Sequence, residues 1–63
     1  MYLVMQLGEE IIDKEEITPN RWNDSAHIML LKNILLKRNE VLLEAVNADP
    51  VFFIERRFIP LTI

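Results

Sequence analysis

The sequence predicts a small α+β domain, rich in β structure, with one helix or helical insertion at about residues 18–36. Residues 1–17 hold two apolar runs that are separated by the only glycine, Gly8. The middle of the chain has leucines at helical spacing, whereas residues 51–58 are aromatic and β-branched. We expect these runs to form a small antiparallel sheet in a single domain that spans 1–63.

The N-terminal part is predicted to be a β-hairpin. Residues 2–7 are apolar and partly β-favouring, and Gly8 separates them from an isoleucine-containing, acidic run at 9–17. A lone glycine between two such runs is typical of a tight turn that needs a positive φ angle. We therefore expect a strand, a turn at Gly8 and a second strand.

Residues 18–25 form the break that follows the hairpin. The Thr-Pro pair at 18–19 and the Asn-Asp-Ser sequence at 23–25 both offer residues that commonly begin helices. Trp22 lies between them and is expected to be a packing anchor. A helix or turn is therefore predicted to start in this segment.

The next segment, 26–46, fits both a helix and strands. Leucine, lysine and methionine favour a helix, and the apolar residues recur at helical spacing. A helix that is apolar on so much of its circumference must be buried on several sides. Val41 and Val46 also permit a strand. We expect a helix within 24–36 and a strand at 40–46, and one long buried helix is the alternative.

The C-terminal part is predicted to be a turn followed by a strand. The Asn-Ala-Asp-Pro sequence at 47–50 ends whatever precedes it, because Asn and Asp favour turns and Pro cannot continue a helix. Residues 51–58 are aromatic and β-branched, which is typical of a strand. Pro60 indicates that strand pairing ends there or continues only at a sheet edge.

The composition indicates self-association. A chain of 63 residues has a small core, which is usually supplemented by disulfides, a metal ion or oligomerisation. This chain has no cysteine and a single histidine, His27, so disulfides and a zinc site are excluded. Since 51% of the residues are hydrophobic, we expect a homodimer or a higher oligomer.

Few residues are suited to catalysis. Ser25 and His27, the only serine and histidine, lie two positions apart in a predicted helix cap, where serine is expected for structural reasons. The acidic residues at 9–16 lack the glycine and the spacing of a calcium loop, so solvated acids are the favoured interpretation. We predict no enzymatic activity, no catalytic residue, no metal site and no cofactor.

Charge and hydropathy restrict the environment of the protein. The net charge is −3 and the pI about 4.9, which disfavours non-specific nucleic-acid binding because such binding depends on neutralising phosphates. The first residues lack the basic region of a signal peptide, and no apolar run approaches the roughly 18 residues that span a bilayer. We expect a cytoplasmic protein without a membrane partner.

Several short motifs resemble the CsrA/RsmA carbon storage regulator family. Residues 7–17, Leu-Gly-Glu-Glu-Ile-Ile-Asp-Lys-Glu-Glu-Ile, follow the order of that family's first turn and second strand. The segment 18–27 has no counterpart in the ordinary family and is similar to the insertion of the helix-inserted RsmN type. Arg38 stands where the family has glycine, and Glu55 where it has histidine. Further matches lie at Lys37, Asn39, Val41, Val46, Asn47, Ala48, Phe52, Ile54 and Arg56.

The resemblance implies an intertwined homodimer of five-stranded antiparallel sheets that binds GGA-containing, single-stranded loops of messenger RNA and represses translation. Residues 28–36 and 39–46 would then be the third and fourth strands. Arg56 would be central, since a planar guanidinium pairs with phosphate or with a guanine edge. The RNA-binding residues that the resemblance implies are Val4, Met5, Gln6, Phe53, Ile54 and Arg56.

A second interpretation remains open beside this one. The chain would be a small homo-oligomeric structural or protein-interaction module, built from a strand, a long helix and a final strand. Its apolar surface would bind its own copies or a protein partner. The acidic pI and the uncharged residues 2–7 favour this module, whereas the spaced motifs favour the RNA-binding regulator.

Overall fold

The computed structural model describes residues 1–57 and shows a three-stranded antiparallel sheet with two helices packed on one face. The strand order is β2-β1-β3, so the first strand lies in the centre. The predicted small α+β class with an antiparallel sheet is confirmed. The elements are β1 (Tyr2–Leu7), β2 (Glu10–Glu16), α1 (Ser25–Arg38), α2 (Glu40–Val46) and β3 (Val51–Glu55).

The N-terminal hairpin forms as predicted. Gly8 has a φ angle of 62°, in the left-handed region that favours glycine. The Gln6 side chain closes the turn by donating from Nε2 to the Gly8 carbonyl oxygen at 2.9 Å. The β1–β2 pairing shifts register between Met5 and Gln6, which is a bulge.

Helix α1 begins at the second of the two predicted caps. The Asp24 carboxylate accepts hydrogen bonds from the backbone N–H groups of Ala26 and His27, at 3.1 and 3.3 Å. The helix expected within 24–36 is therefore confirmed, and it extends to Arg38.

The strand predicted at 40–46 is wrong, because these residues form helix α2. The implied third strand at 28–36 is likewise wrong, since it lies within α1. Residues such as Leu43 and Glu44 are good helix formers, and Leu43 packs against the core from the helix. The alternative of one long helix is also wrong. The backbone leaves helical geometry at Asn39 (φ −109°, ψ 15°), so the segment forms two helices.

The turn at 47–50 ends an element as predicted, but that element is a helix. Asn47 is the C-cap of α2 in a left-handed conformation, with a φ angle of 51°. Strand β3 follows and runs antiparallel to β1. The strand predicted for 51–58 is observed as Val51–Glu55, whereas Phe58 and Pro60 lie outside the described residues.

The core lies between the sheet and α1. Leu3 and Met5 point from the central strand toward Leu31 and Leu35 of the helix, and Ile17 closes the cluster. Val4 is also fully buried, although it lies on the sheet face opposite the helices, which we call the open face. Neither described helix is long and apolar enough to cross a membrane.

Candidate functional site

The structure brings five of the six implied RNA-binding residues onto two adjacent strands. Val4 pairs with Phe53 in the β1–β3 register, and Gln6 pairs with Val51. Val4, Met5 and Gln6 lie on the central strand of the sheet, because β1 is paired on both sides. The Val4 and Met5 side chains are fully buried and do not contribute to the surface of this molecule.

Strand β3 has an accessible edge, whereas both edges of β1 are paired. Within residues 1–57, only β1 pairs with it, so its other edge is free. Phe52 and Ile54 lie on the helix-covered face, because they pair with Met5 and Leu3. Val51 and Phe53 lie on the open face. Val51 is 62% exposed and Ile54 is 43% exposed, although both are large apolar residues.

Charged residues follow the strand directly. Arg56 is exposed, and its guanidinium makes no hydrogen bond or ion pair with any of residues 1–57. Its backbone N–H donates to Glu55 Oε1 at 3.1 Å. Arg57 Nε lies 3.6 Å from the same carboxylate oxygen. The end of β3 therefore presents two arginines, of which one has an intramolecular acidic neighbour.

Many large apolar side chains of the helices also remain in contact with solvent. Trp22, predicted to be a packing anchor, is 44% exposed. Val41 on α2 is 82% exposed, and the helices expose apolar residues on several sides, whereas the sequence predicts that a helix of this kind is buried on several sides. The exposed residues on the helices are Met29, Leu30, Ile34, Leu36, Val41, Leu42 and Val46.

One flank of α1 borders β3. The Lys32 amino group lies over the Phe52 ring, 5.6 Å from its centroid, so this flank faces the third strand. Met29 and Leu36 share the flank, because they lie three residues before and four after Lys32. A shallow groove of about 320 Å³ is lined here by Trp22, Asn23, Ser25, Ile28, Met29 and Lys32.

The opposite side of the fold is charged and internally paired. Arg38 Nε donates to Asp13 Oδ2 at 2.8 Å, and its Nη1 lies 3.0 Å from Glu15 Oε2. Asn39 Nδ2 donates to the same Asp13 oxygen at 2.9 Å. These contacts tie the end of α1 to β2, so the Arg38 cation is already neutralised by the sheet.

The contacts at Asp13 change the pKa of both charged partners. Burial raises the pKa of the Asp13 carboxyl, but hydrogen bonds from Arg38 and Asn39 outweigh this effect and leave that pKa below its usual value. The hydrogen bond to Asp13 raises the pKa of Arg38. Both groups therefore stay charged, and their position makes them structural rather than reactive.

Ser25 and His27, the residues considered for catalysis, both lie in the first turn of α1. Ser25 is exposed at the start of α1, and the buried His27 Nε2 atom has no hydrogen-bond partner among residues 1–57. No three His, Asp or Glu side chains of those residues come together as metal ligands would. Strand β3, with an unpaired edge among residues 1–57, and the neighbouring flank of α1 form the candidate surface.

Sequence reasoning predicted the residues of β3 but not the strand's position in the sheet. Nothing in the local pattern distinguishes a central strand from an edge strand of five residues. One feature of the sequence did indicate an exposed apolar surface. A helix that is apolar on most of its circumference cannot be covered by one small sheet.

Comparisons with protein-family models, curated proteins and solved structures give no match to this chain.

Proposed function

We propose that this chain is a small homo-oligomeric interaction module, which acts by binding rather than by catalysis. The observation that supports it is the exposed apolar surface of β3 and of the neighbouring flank of α1, where Met29, Leu36 and Ile54 remain in contact with solvent. Soluble monomers rarely expose contiguous apolar patches of more than a few hundred Å². A module that covers this surface with its own copies would remove it from water.

The small core supports the same proposal. Only a few side chains are buried within residues 1–57: Leu3, Val4, Met5, Ile17, Leu31 and Leu35. Fully burying one leucine or isoleucine side chain contributes roughly 1.5–3 kcal/mol, so a core of this size leaves a marginal fold. Association supplies the remaining apolar burial without disulfides or metal ions.

The proposal is tested by sedimentation velocity of the full-length chain across a micromolar concentration series. A dimer or larger species that dissociates on dilution is the expected result. A folded monomer at every concentration, with native circular dichroism, would overturn the proposal, because the exposed surface would then have no copy to cover it.

A second candidate is an RNA-binding translational regulator of the CsrA type. The observation in its favour is the exposed Arg56, which lies one residue beyond β3 and two residues beyond the exposed Ile54. RNA loops are read partly through strand-edge groups and through stacking of unpaired bases. The net charge of −3 and the buried Val4 and Met5 weigh against it.

A gel shift with an RNA that displays GGA in a hairpin loop tests this candidate. Binding that weakens as the salt concentration rises and that is lost in Arg56→Ala is the expected result. Arg21→Ala is the matched control, because Arg21 is also exposed but lies in the turn before α1. No shift, or equal loss in both variants, would remove the candidate.

A further inference from the structure

The two outer strands of the sheet are protected very differently. Strand β2 carries acidic and basic side chains along its length and pairs through a bulge, and both features discourage pairing with another chain. Strand β3 has neither feature, since four of its five residues are apolar and its register with β1 is regular. Among residues 1–57 no strand pairs with its outer edge, which therefore offers backbone groups to another strand.

We propose that β3 pairs in an antiparallel manner with β3 of a second copy, with Phe53 opposite itself. The result is a two-fold dimer with one continuous six-stranded sheet. This inference rests on the proposed self-association and names the surface that forms it. In a two-fold dimer the same surface of each copy contacts its counterpart. A strand edge that pairs antiparallel with its own copy meets this condition.

The symmetry limits the register. A two-fold axis perpendicular to the sheet keeps the helices of both copies on the same face, and it requires one residue to lie opposite itself. Centring on Phe52 places Glu55 opposite Asp49 of the second copy, two like charges. Centring on Ile54 leaves Val51 without a β3 residue opposite it. Centring on Phe53 pairs every residue of Val51–Glu55.

Charge complementarity favours the Phe53-centred register. Four positions beyond the centre, Arg57 of one copy lies opposite Asp49 of the other, and the symmetry repeats this pair. Pro50, directly before the strand, has no N–H to donate to a ladder, so the backbone pairing is limited to the five strand residues and the Arg57–Asp49 contact lies between side chains beyond it.

The side chains match in character on the helix-covered face, whereas Val51 lies opposite Glu55 on the open face. On the helix-covered face, Ile54 of each copy would lie beside Phe52 of the other, which covers a residue that is 43% exposed in the single chain. Met29 and Leu36 lie on the flank of α1 that faces β3, so they border the new strand pair on the helix-covered face. On the open face, Phe53 would contact its own symmetry mate.

Ile54→Lys tests the location of the interface. A lysine at a strand edge opposes pairing, and here it would stand beside the apolar Phe52 of the second copy. The variant should weaken the self-association measured by sedimentation at least tenfold. Val41→Lys is the matched control, because it places the same charge on α2 at a residue that is 82% exposed, and it should associate like the wild type.

The outcomes of this experiment separate the two proposals. A monomeric wild type overturns self-association itself. An oligomeric wild type that is unaffected by Ile54→Lys, or that is dissociated by Val41→Lys instead, retains self-association and overturns the β3 interface. Far-UV circular dichroism of each variant identifies a loss of fold, and in that case the cysteine experiment that follows decides.

Single cysteines test the register directly, because the natural chain has none and any disulfide must join two copies. Phe53→Cys places two thiols opposite each other across the axis, where Cβ atoms are about 4.5–5.5 Å apart. It should form a linked dimer under mild oxidation. Ile54→Cys should not, since its opposite residue is Phe52. Linkage at neither site, or at Ile54 alone, would overturn the inference.

Discussion

Asp13 connects β2 to the end of α1 and to the junction between the two helices. Its carboxylate lies on β2, is 14% exposed at the side chain and accepts hydrogen bonds from Arg38 at the end of α1 and from Asn39 at the junction with α2. Arg38 interrupts the apolar spacing of the helix, and in the structure its cation pairs with the Asp13 carboxylate. The sequence did not reveal the pairing, because Asp13 and Arg38 are 25 residues apart.

We expect the stability of the protein to depend on pH through Asp13. Because the pKa of Asp13 is lower in the folded state, the stability that it contributes is fully present above its unfolded pKa and is lost as the pH falls through the folded one. The free energy of unfolding, measured with urea from about pH 5 to about pH 2, should therefore fall more steeply in the wild type than in Asp13→Asn.

A partner variant provides the control for this prediction. Arg38→Gln removes the cation but keeps a polar side chain, and it should lower the stability by about 1 kcal/mol near neutral pH, since the exposed guanidinium is partly screened by solvent. The free energy of unfolding of Arg38→Gln should also change less with pH than that of the wild type. Identical slopes in the wild type and both variants would contradict the role assigned to Asp13.

The start of α1 is stabilised by one capping side chain. Asp24 caps the helix through two backbone N–H groups. Asp24→Ala should lower the free energy of unfolding by about 1 kcal/mol, because the first turn then loses its acceptor. Asp24→Asn keeps an acceptor and should retain most of the stability. Chemical denaturation measures both, and equal stability of Asp24→Ala and the wild type would contradict the cap.

Elements with local signals were predictable, whereas the others were not. Gly8 marks a turn that needs a positive φ angle, and Asp24 is a cap residue, so the hairpin and the start of α1 follow from the sequence. The strand expected at 40–46 failed for a physical reason. Its valines remain exposed on a helix whose inward residue, Leu43, reaches the core, and such tertiary packing outweighs the β preference of valine.

The order of the strands in the sheet could not be predicted from the sequence. The sequence predicts three strands that the structure contains, but it does not indicate that the first strand lies between the other two. That order buries Val4 and Met5 and leaves β3 at an edge. The candidate surface therefore depends on topology, which long-range contacts determine and which local residue patterns do not encode.

Self-association predicts a thermal midpoint that depends on protein concentration. If folding and association are coupled, a tenfold dilution costs about 1.4 kcal/mol per dimer, which lowers the midpoint by roughly 5 °C for a folding unit of this size. The midpoint from circular dichroism should fall steadily as the wild type is diluted. Ile54→Lys, with its strand edge blocked, should show a lower midpoint and little concentration dependence. A concentration-independent midpoint in the wild type would mean that the chain folds alone, with its apolar flank and strand edge left in water.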